Sequence, residues 1–205
     1  MSFTLDPEVR PQSEQTIKRS RFVGRMRRAD SEEDANGLIS MARELDAGAG
    51  HHCYAYIVGD ELASRIERCS DDGEPSGTAG VPILSALRAR ELVNVVAVVS
   101  RYYGGIKLGA GGLTRAYAGT VTAAIDTATL RPRARLQVFT LAVDHAEAGW
   151  VEAELRGRRF AVDGVEYGQK AVIRVLCADP AHLSSAVSEI TSGRAELVPA
   201  GHLWQ

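Results

Sequence analysis

The chain is poor in cysteine and has no long apolar segment. Its three cysteines, Cys53, Cys69 and Cys177, are widely spaced and form no C-x-x-C pair. An odd, dispersed set of thiols argues against a disulfide framework or a cysteine-rich zinc site and favours a reducing compartment. No apolar run approaches the roughly 20 residues that a membrane span needs. The first residues also lack the basic and apolar regions of a secretory signal, so we expect a cytoplasmic protein.

The net charge is small, but the charge is unevenly distributed. A formal charge of −2 argues against wholesale electrostatic binding of nucleic acid. Residues 10–28 nevertheless carry seven basic side chains and one acidic one, whereas residues 137–205 carry nine acidic and six basic ones. The basic stretch, which includes Arg21, interleaves charged and apolar residues. It suits either a strand that faces nucleic acid or an edge strand protected by its own charge, and both interpretations stay open.

A glycine-rich basic segment runs from Arg101 to Arg115, between a valine-rich run and a helical pattern. It lacks the G-x-x-x-x-G-K-[ST] loop and the G-x-G-x-x-G turn, so no nucleotide cofactor is predicted. Bare backbone and basic side chains before a helix still favour a bound anion such as phosphate. A tight turn with solvated basic residues is the alternative. The candidate phosphate or nucleic-acid contacts are Arg101, Gly104, Gly105, Lys107, Gly109, Gly111, Gly112 and Arg115, together with Arg21.

An acidic loop precedes this segment and carries Asp71, Asp72 and Glu74. Three carboxylates in four residues could hold a hard cation or serve as acid and base. Their spacing does not match a calcium loop, and no metal site is predicted. We expect instead that these carboxylates pair with Arg101 or Arg115 and position the basic loop.

The His51-His52-Cys53 triplet lies on a predicted strand. Because neighbouring strand residues point to opposite faces, His51 and Cys53 can share a face that His52 does not join. No motif supplies further metal ligands or an orienting group for a cysteine nucleophile. Ser76 does not lie in a G-x-S-x-G elbow. The sequence therefore predicts no catalytic residue.

The pattern of elements predicts an α+β protein with two domains. Residues 1–130 form the first domain, residues 131–136 a charged linker that contains Pro132, and residues 137–205 the second domain. In the second domain the predicted order is strand, helix, two strands, helix, strand, which is the ferredoxin-like βαββαβ order. In the first domain the valine-rich run at 92–102 predicts a strand buried on both faces.

Several motifs together resemble the YigZ/IMPACT family, in its bacterial two-domain branch. They are Arg19-Ser-Arg-Phe22, His51-His-Cys-Tyr-Ala-Tyr56, Asp71-Asp-Gly-Glu-Pro-Ser-Gly-Thr-Ala-Gly80, Arg101-Tyr-Tyr-Gly-Gly-Ile-Lys-Leu-Gly109 and Gly111-Gly-Leu-Thr-Arg-Ala-Tyr117. The resemblance implies an N-terminal domain like domain 2 of ribosomal protein S5, a sheet with helices on one face. It also implies a C-terminal domain similar to the ferredoxin-like domains of elongation factor G.

The resemblance implies a link to translation rather than a defined activity. Eukaryotic relatives restrain a kinase that phosphorylates a translation initiation factor, but they use an additional domain that this chain does not show. We therefore expect a non-enzymatic cytoplasmic module that binds RNA or a ribosome-associated partner, without cofactor, and modulates translation. The alternative is an enzyme acting on a phosphorylated small molecule, with the acidic loop as acid, base or magnesium ligand. The oligomeric state stays open.

Overall fold

The computed structural model describes residues 2–205, and the chain divides into two compact units between Arg133 and Ala134. This division falls inside the segment expected as a linker. Most of that segment is strand, because residues 131–133 end one strand of the first unit and residues 135–136 begin a strand of the second. No helix among the described residues is long and apolar enough to cross a membrane.

Within residues 2–133, the first unit combines seven strands with three helices. The strands are β1 (Ser2–Leu5), β2 (Gln12–Ile17), β3 (Ser20–Arg28), β4 (His51–Val58), β5 (Ile66–Ser70), β6 (Val95–Tyr102) and β7 (Leu130–Arg133), and the helices are α1 (Glu32–Leu45), α2 (Gly80–Ala89) and α3 (Ala110–Asp126). Five strands form an antiparallel sheet in the order β2-β3-β6-β4-β5. The β1 and β7 strands form a separate antiparallel pair.

The central strand β6 is buried on both faces, as its valine-rich sequence predicts. Its residues Val95, Ala97 and Val99 pack with side chains of α2 and α3, whereas Val96 and Val98 pack with α1. The expectation of helices on one face only is therefore wrong. Successive side chains of a strand point to opposite faces, so a strand that is apolar on both needs a helix on each side to exclude water.

Local signals set the ends of α1. Ser31 precedes the helix, and its hydroxyl accepts a hydrogen bond from the Asp34 N–H while the Asp34 carboxylate accepts one from the Ser31 N–H. This reciprocal capping box satisfies backbone donors that have no partner inside the helix. Leu38 and Ala42 then lie on the buried face. The helix therefore begins directly after Ser31 and ends at Leu45.

The second unit is a four-stranded antiparallel sheet with two helices. Its elements are β8 (Arg135–Val143), α4 (His145–Gly157), β9 (Ala161–Tyr167), β10 (Ala171–Cys177), α5 (Pro180–Thr191) and β11 (Leu197–Trp204). The predicted βαββαβ order is observed, and the strands lie in the order β11-β8-β10-β9. Alternate residues such as Leu141, Ile173 and Val175 pack with Val151 and Leu183 from the helices in a core of their own.

Candidate anion-binding site

The glycine-rich segment connects β6 to α3, and its backbone favours glycine at several positions, among them Gly104 and Gly109. A side chain at Gly104 would overlap the carbonyl oxygen of Arg19, in the turn between β2 and β3. The Gly104 N–H also lies 3.3 Å from the Ser20 hydroxyl oxygen, which accepts its hydrogen bond. Gly109 immediately precedes α3 with a φ of 73°, a conformation that favours glycine. The segment thus packs closely against the β2–β3 turn at Gly104, and at Gly109 the chain turns into α3.

The N-termini of α2 and α3 differ in how their N–H groups are satisfied. At α2 the Asp71 carboxylate accepts hydrogen bonds from the N–H groups of Ala79 and Gly80, as well as from Gly77. At α3 the preceding residue is a glycine without a capping side chain, and the first turn contains no acidic residue. The positive end of the α3 dipole therefore has no carboxylate of its own.

The three carboxylates of the acidic loop point to three different places. Partial burial raises the pKa of Asp71, but its three backbone hydrogen bonds outweigh burial and hold that pKa below its usual value. Asp72 accepts a hydrogen bond from the His52 N–H and pairs with Arg43. Glu74 alone reaches a basic residue of the glycine-rich segment. The pairing expected for Asp71 and Asp72 is therefore wrong, because local backbone donors and Arg43 compete successfully for them.

Glu74 pairs with Arg101 in the interior. The Arg101 Nη1 atom lies 2.6 Å from Glu74 Oε1, and the two side chains are 6% and 3% exposed. The Tyr117 hydroxyl donates to the same carboxylate oxygen at 2.7 Å. Arg101 Nη2 donates to the Ser20 hydroxyl at 3.3 Å, while its Nε is buried without a hydrogen-bond partner. Arg101 therefore acts inside the protein and is not an exposed phosphate contact.

A cavity of about 490 Å³ opens between the glycine-rich segment and the acidic loop. Polar groups line it from several elements, and Leu108, Leu113 and Pro75 supply apolar walls. The polar and charged lining residues are His51, Glu74, Arg101, Tyr103 and Lys107, beside the start of α3 at Gly109 and Ala110.

The orientation of His51 is fixed by the acidic loop. Its Nδ1 atom lies 2.8 Å from the Asp72 carbonyl oxygen. A carbonyl only accepts hydrogen bonds, so Nδ1 carries the proton, and Nε2 of the neutral ring is an acceptor. His51 lies directly opposite Arg101 on neighbouring strands, on the face that carries Cys53. His52 lies on the other face, where its Nε2 approaches the Asp46 carbonyl, as strand alternation predicts.

The structure brings only some of the predicted contacts to this cavity. Arg101, Lys107 and Gly109 line it, whereas Gly104 and Gly105 do not, and Gly111 and Gly112 lie in the first turn of α3. Arg115 is exposed farther along α3 and does not line the cavity. Arg21 pairs with Glu14 and lies over the Tyr102 ring, on the opposite face of the sheet from Arg101. The basic strand and the cavity are therefore separate surfaces.

Three contributors were missed at the level of sequence. Tyr117 reads as one member of the buried stripe of α3, although a buried tyrosine hydroxyl requires a partner and so signals a polar contact. Ser20 lies in the Arg19–Phe22 motif, but its role could not be read from the sequence because its partners, Arg101 and Gly104, are more than 80 residues away. His51 was placed on the correct face, but the cavity beside it is formed by distant loops.

Cysteine and metal chemistry find no support here. Burial raises the pKa of the Cys53 thiol to about 12, and the thiol donates to the Asp71 carbonyl. A thiol in this state is a poor nucleophile. Within residues 2–205, no three His, Cys, Asp or Glu side chains gather in a way that could hold a metal ion.

Each of the two units matches a known family of protein domains. The model of the Impact N-terminal domain matches residues 18–125, and a domain of unknown function, DUF1949, matches residues 141–194. The chain is 34% identical to the IMPACT family member YvyE of Bacillus subtilis, over 88% of this chain and 83% of that protein. It is also 34% identical to the IMPACT family member YigZ of Escherichia coli, over 89% of this chain and 90% of that one.

A solved structure supports the two-unit architecture. The crystal structure of a hypothetical protein superposes with a TM-score of 0.70 and 33% sequence identity, and the match covers 98% of both chains.

Proposed function

The chain belongs to the IMPACT family, and on that basis we propose that it is a non-enzymatic cytoplasmic module that binds RNA or a ribosome-associated partner and modulates translation. The observation that carries this proposal is the exposed basic surface around the α3 N-terminus. Lys107 and Arg115 are both exposed, and neither takes part in a salt bridge among the described residues. Two unpaired cations beside a helix N-terminus attract phosphate groups.

Arg101 is buried beneath this basic surface and stabilises it. Because it is neutralised by Glu74, it fixes the start of the glycine-rich segment instead of meeting RNA directly. Its guanidinium also lies over the Tyr103 ring, 5.4 Å from the centroid. This contact holds the Tyr103 ring in place although that side chain is 55% exposed. Tyr103 is thus the aromatic residue available to stack on a base.

The proposed fold names agree with a translation-linked module. We propose that the second unit is a ferredoxin-like domain, since its element order and strand order follow the split βαβ pattern. For the first unit, a domain-2-like relation to ribosomal protein S5 has to accommodate α1 on the second face of the sheet. Fold alone does not set function, and the basic surface remains the feature that favours RNA binding.

The rival enzyme hypothesis is weaker on this geometry. It needs a free carboxylate as base or magnesium ligand beside the phosphate. Asp71 is held by backbone N–H groups, Asp72 by His52 and Arg43, and Glu74 by Arg101 and Tyr117.

The test is fluorescence anisotropy with labelled single-stranded RNA across a salt series. We expect affinity to fall by roughly 0.7 log units per log unit of salt for each phosphate contacted. The double variant Lys107→Ala with Arg115→Ala should lower affinity and flatten the slope. The control is Arg159→Ala with Lys170→Ala, which removes the same charge from the second unit. Absence of RNA binding at low salt, or equal losses in both double variants, would reject an RNA contact at this surface.

A further inference from the structure

The cavity beside the α3 N-terminus has features that a merely basic surface does not need. It is a concave, open cavity with apolar walls, and it receives polar groups from β4, β6 and the glycine-rich segment. Its size of about 490 Å³ lies in the range of small-molecule sites, roughly 300–1,000 Å³. Contacts to the backbone of an extended RNA chain do not require a concave site of this size.

Two independent observations indicate that an anionic group belongs in this volume. The first is the α3 N-terminus, whose first-turn N–H groups have no side-chain cap, in contrast with α2, where the Asp71 carboxylate fills the equivalent place. The second is Arg101, which is 5% exposed, lines the cavity and keeps a buried Nε without a partner. This buried Nε is out of reach of a ligand, but its unsatisfied N–H adds positive potential to the cavity wall and so favours an anion there.

The charges around the cavity suit one phosphate group. Lys107 and Arg101 contribute two positive charges and Glu74 one negative charge, and the helix dipole adds about half a positive charge. His51 adds an acceptor, Nε2, because its Nδ1 proton is committed to the Asp72 carbonyl. A phosphomonoester, with a charge of about −1.5 to −2 at neutral pH, matches this positive excess better than an internal phosphodiester with a charge of −1, and a sugar hydroxyl beside the phosphate can donate to that nitrogen.

We propose that this cavity is a binding site for a phosphomonoester, in which the first-turn N–H groups of α3 and Lys107 hold the phosphate and His51 Nε2 accepts a hydrogen bond from a ligand hydroxyl. The ligand is either a free mononucleotide or the phosphorylated end of an RNA chain, since both present the same chemistry. This site rests on the phosphate-binding part of the proposed function but not on its link to translation.

One backbone N–H at the α3 N-terminus can be removed by substitution without destabilising the helix. Proline at the first position of a helix removes one N–H yet is well tolerated there, because that N–H makes no intrahelical hydrogen bond. Ala110 occupies this position and lines the cavity. Ala110→Pro should therefore keep the wild-type melting temperature while weakening phosphate binding about ten-fold, the worth of one hydrogen bond to a charged group. Ala110→Gly keeps the N–H and is the matched control.

Two further variants separate this site from the RNA surface. Lys107→Met should weaken binding of the mononucleotide, whereas Arg115→Met should not, because Arg115 lies outside the cavity. His51→Asn keeps a donor near the Asp72 carbonyl but lacks the Nε2 acceptor. It should weaken binding roughly five-fold, as the loss of one neutral hydrogen bond does.

The experiment is isothermal titration calorimetry with adenosine 5′-monophosphate, with adenosine and inorganic phosphate as references. Binding of the monophosphate, loss in Ala110→Pro and retention in Ala110→Gly would support the site. A tighter complex with 5′-phosphorylated RNA than with its 5′-hydroxyl form identifies an RNA end as the ligand, and equal affinities identify a free nucleotide. No binding of monophosphate or inorganic phosphate at millimolar concentration would overturn the proposal. If RNA binding still required Lys107 and Arg115 in that case, the proposed function would stand without this site.

Discussion

Glu74 and Arg101 form a buried ion pair that fastens the acidic loop to the strand from which the glycine-rich segment departs. The Tyr117 hydroxyl donates to the same carboxylate oxygen, so α3 is joined to the pair as well. Three elements that define the cavity therefore meet at one carboxylate. Damage to this contact should affect both stability and the shape of the cavity.

The first prediction concerns this pair. Glu74→Gln leaves the Arg101 charge buried without its counter-ion, and we expect a loss of about 3–5 kcal/mol in the free energy of unfolding. Arg101→Met combined with Glu74→Gln should recover part of that loss, because no buried charge then remains. Urea unfolding of the single and double variants gives the coupling energy. Additive losses would contradict a direct pairing.

A second prediction concerns Gly104. A methyl group there would overlap the Arg19 carbonyl oxygen, so Gly104→Ala must push the loop away from the β2–β3 turn. We expect a loss of about 1–3 kcal/mol in thermal or urea unfolding. Gly50→Ala is the control, since a Cβ at Gly50 meets nothing within 4 Å. Equal stability of the two variants would show that the close approach at Gly104 does not exist.

The third prediction is a pH dependence that depends on Asp71. Partial burial opposes the charged form, but the three backbone hydrogen bonds outweigh it and hold the folded-state pKa of Asp71 below its usual value. The carboxylate therefore stabilises the fold fully above the unfolded-state pKa, and this contribution is lost as pH falls through the folded-state pKa.

Asp71→Asn should consequently be less stable than wild type at neutral pH, by about 1 kcal/mol for a weakened helix cap. The difference should shrink as the pH falls below about 4, where the wild-type carboxylate takes up its proton. Urea unfolding of both proteins at several pH values measures it. A difference that stays constant down to pH about 2.5 would mean that the Asp71 charge does not matter.

The fourth prediction concerns thiol reactivity. Cys69 is exposed, whereas Cys53 and Cys177 are buried, and burial raises the pKa of the Cys53 thiol to about 12. A chromogenic disulfide reagent should label Cys69 in the native protein and all three thiols in denaturant. Cys69→Ser should abolish the native-state reaction. Rapid native labelling of Cys53 would contradict the packing of β4 against the acidic loop.

The fifth prediction concerns the boundary between the units, which we propose are separate domains. β7 pairs with β1, and Arg133 forms an ion pair with Asp60 that is 9% and 15% exposed on its two side chains. A fragment of residues 1–133 should therefore be more stable than one of residues 1–129, which loses both. Residues 134–205 should fold alone around their own core. Circular dichroism melts test both, and equal melting of the two N-terminal fragments would show that β7 is dispensable.

Much of the local structure follows from nearest neighbours in the sequence. Ser31 and Asp34 define the start of α1 because a capping box needs only residues three apart. The order βαββαβ could be read from alternating and helical apolar patterns, since each depends on residues within one or two turns. The glycine-rich segment was recognisable because its glycines are concentrated between two regular elements. Short strands without a strong pattern, such as β1, β5 and β7, were not predicted.

The sequence by itself therefore determined the family, the α+β composition and the loop that precedes α3. Only the tertiary structure decided which helix covers which face of β6, because a strand that is apolar on both sides does not say which partner it receives. It also decided that three nearby carboxylates have different partners. Asp71 accepts a hydrogen bond from the α2 N-terminus, Asp72 accepts one from a backbone N–H of β4, and Glu74 forms an ion pair with Arg101. These choices depend on partners 9 to 27 residues away, whose positions are set by the packing of the whole unit and not by local propensity.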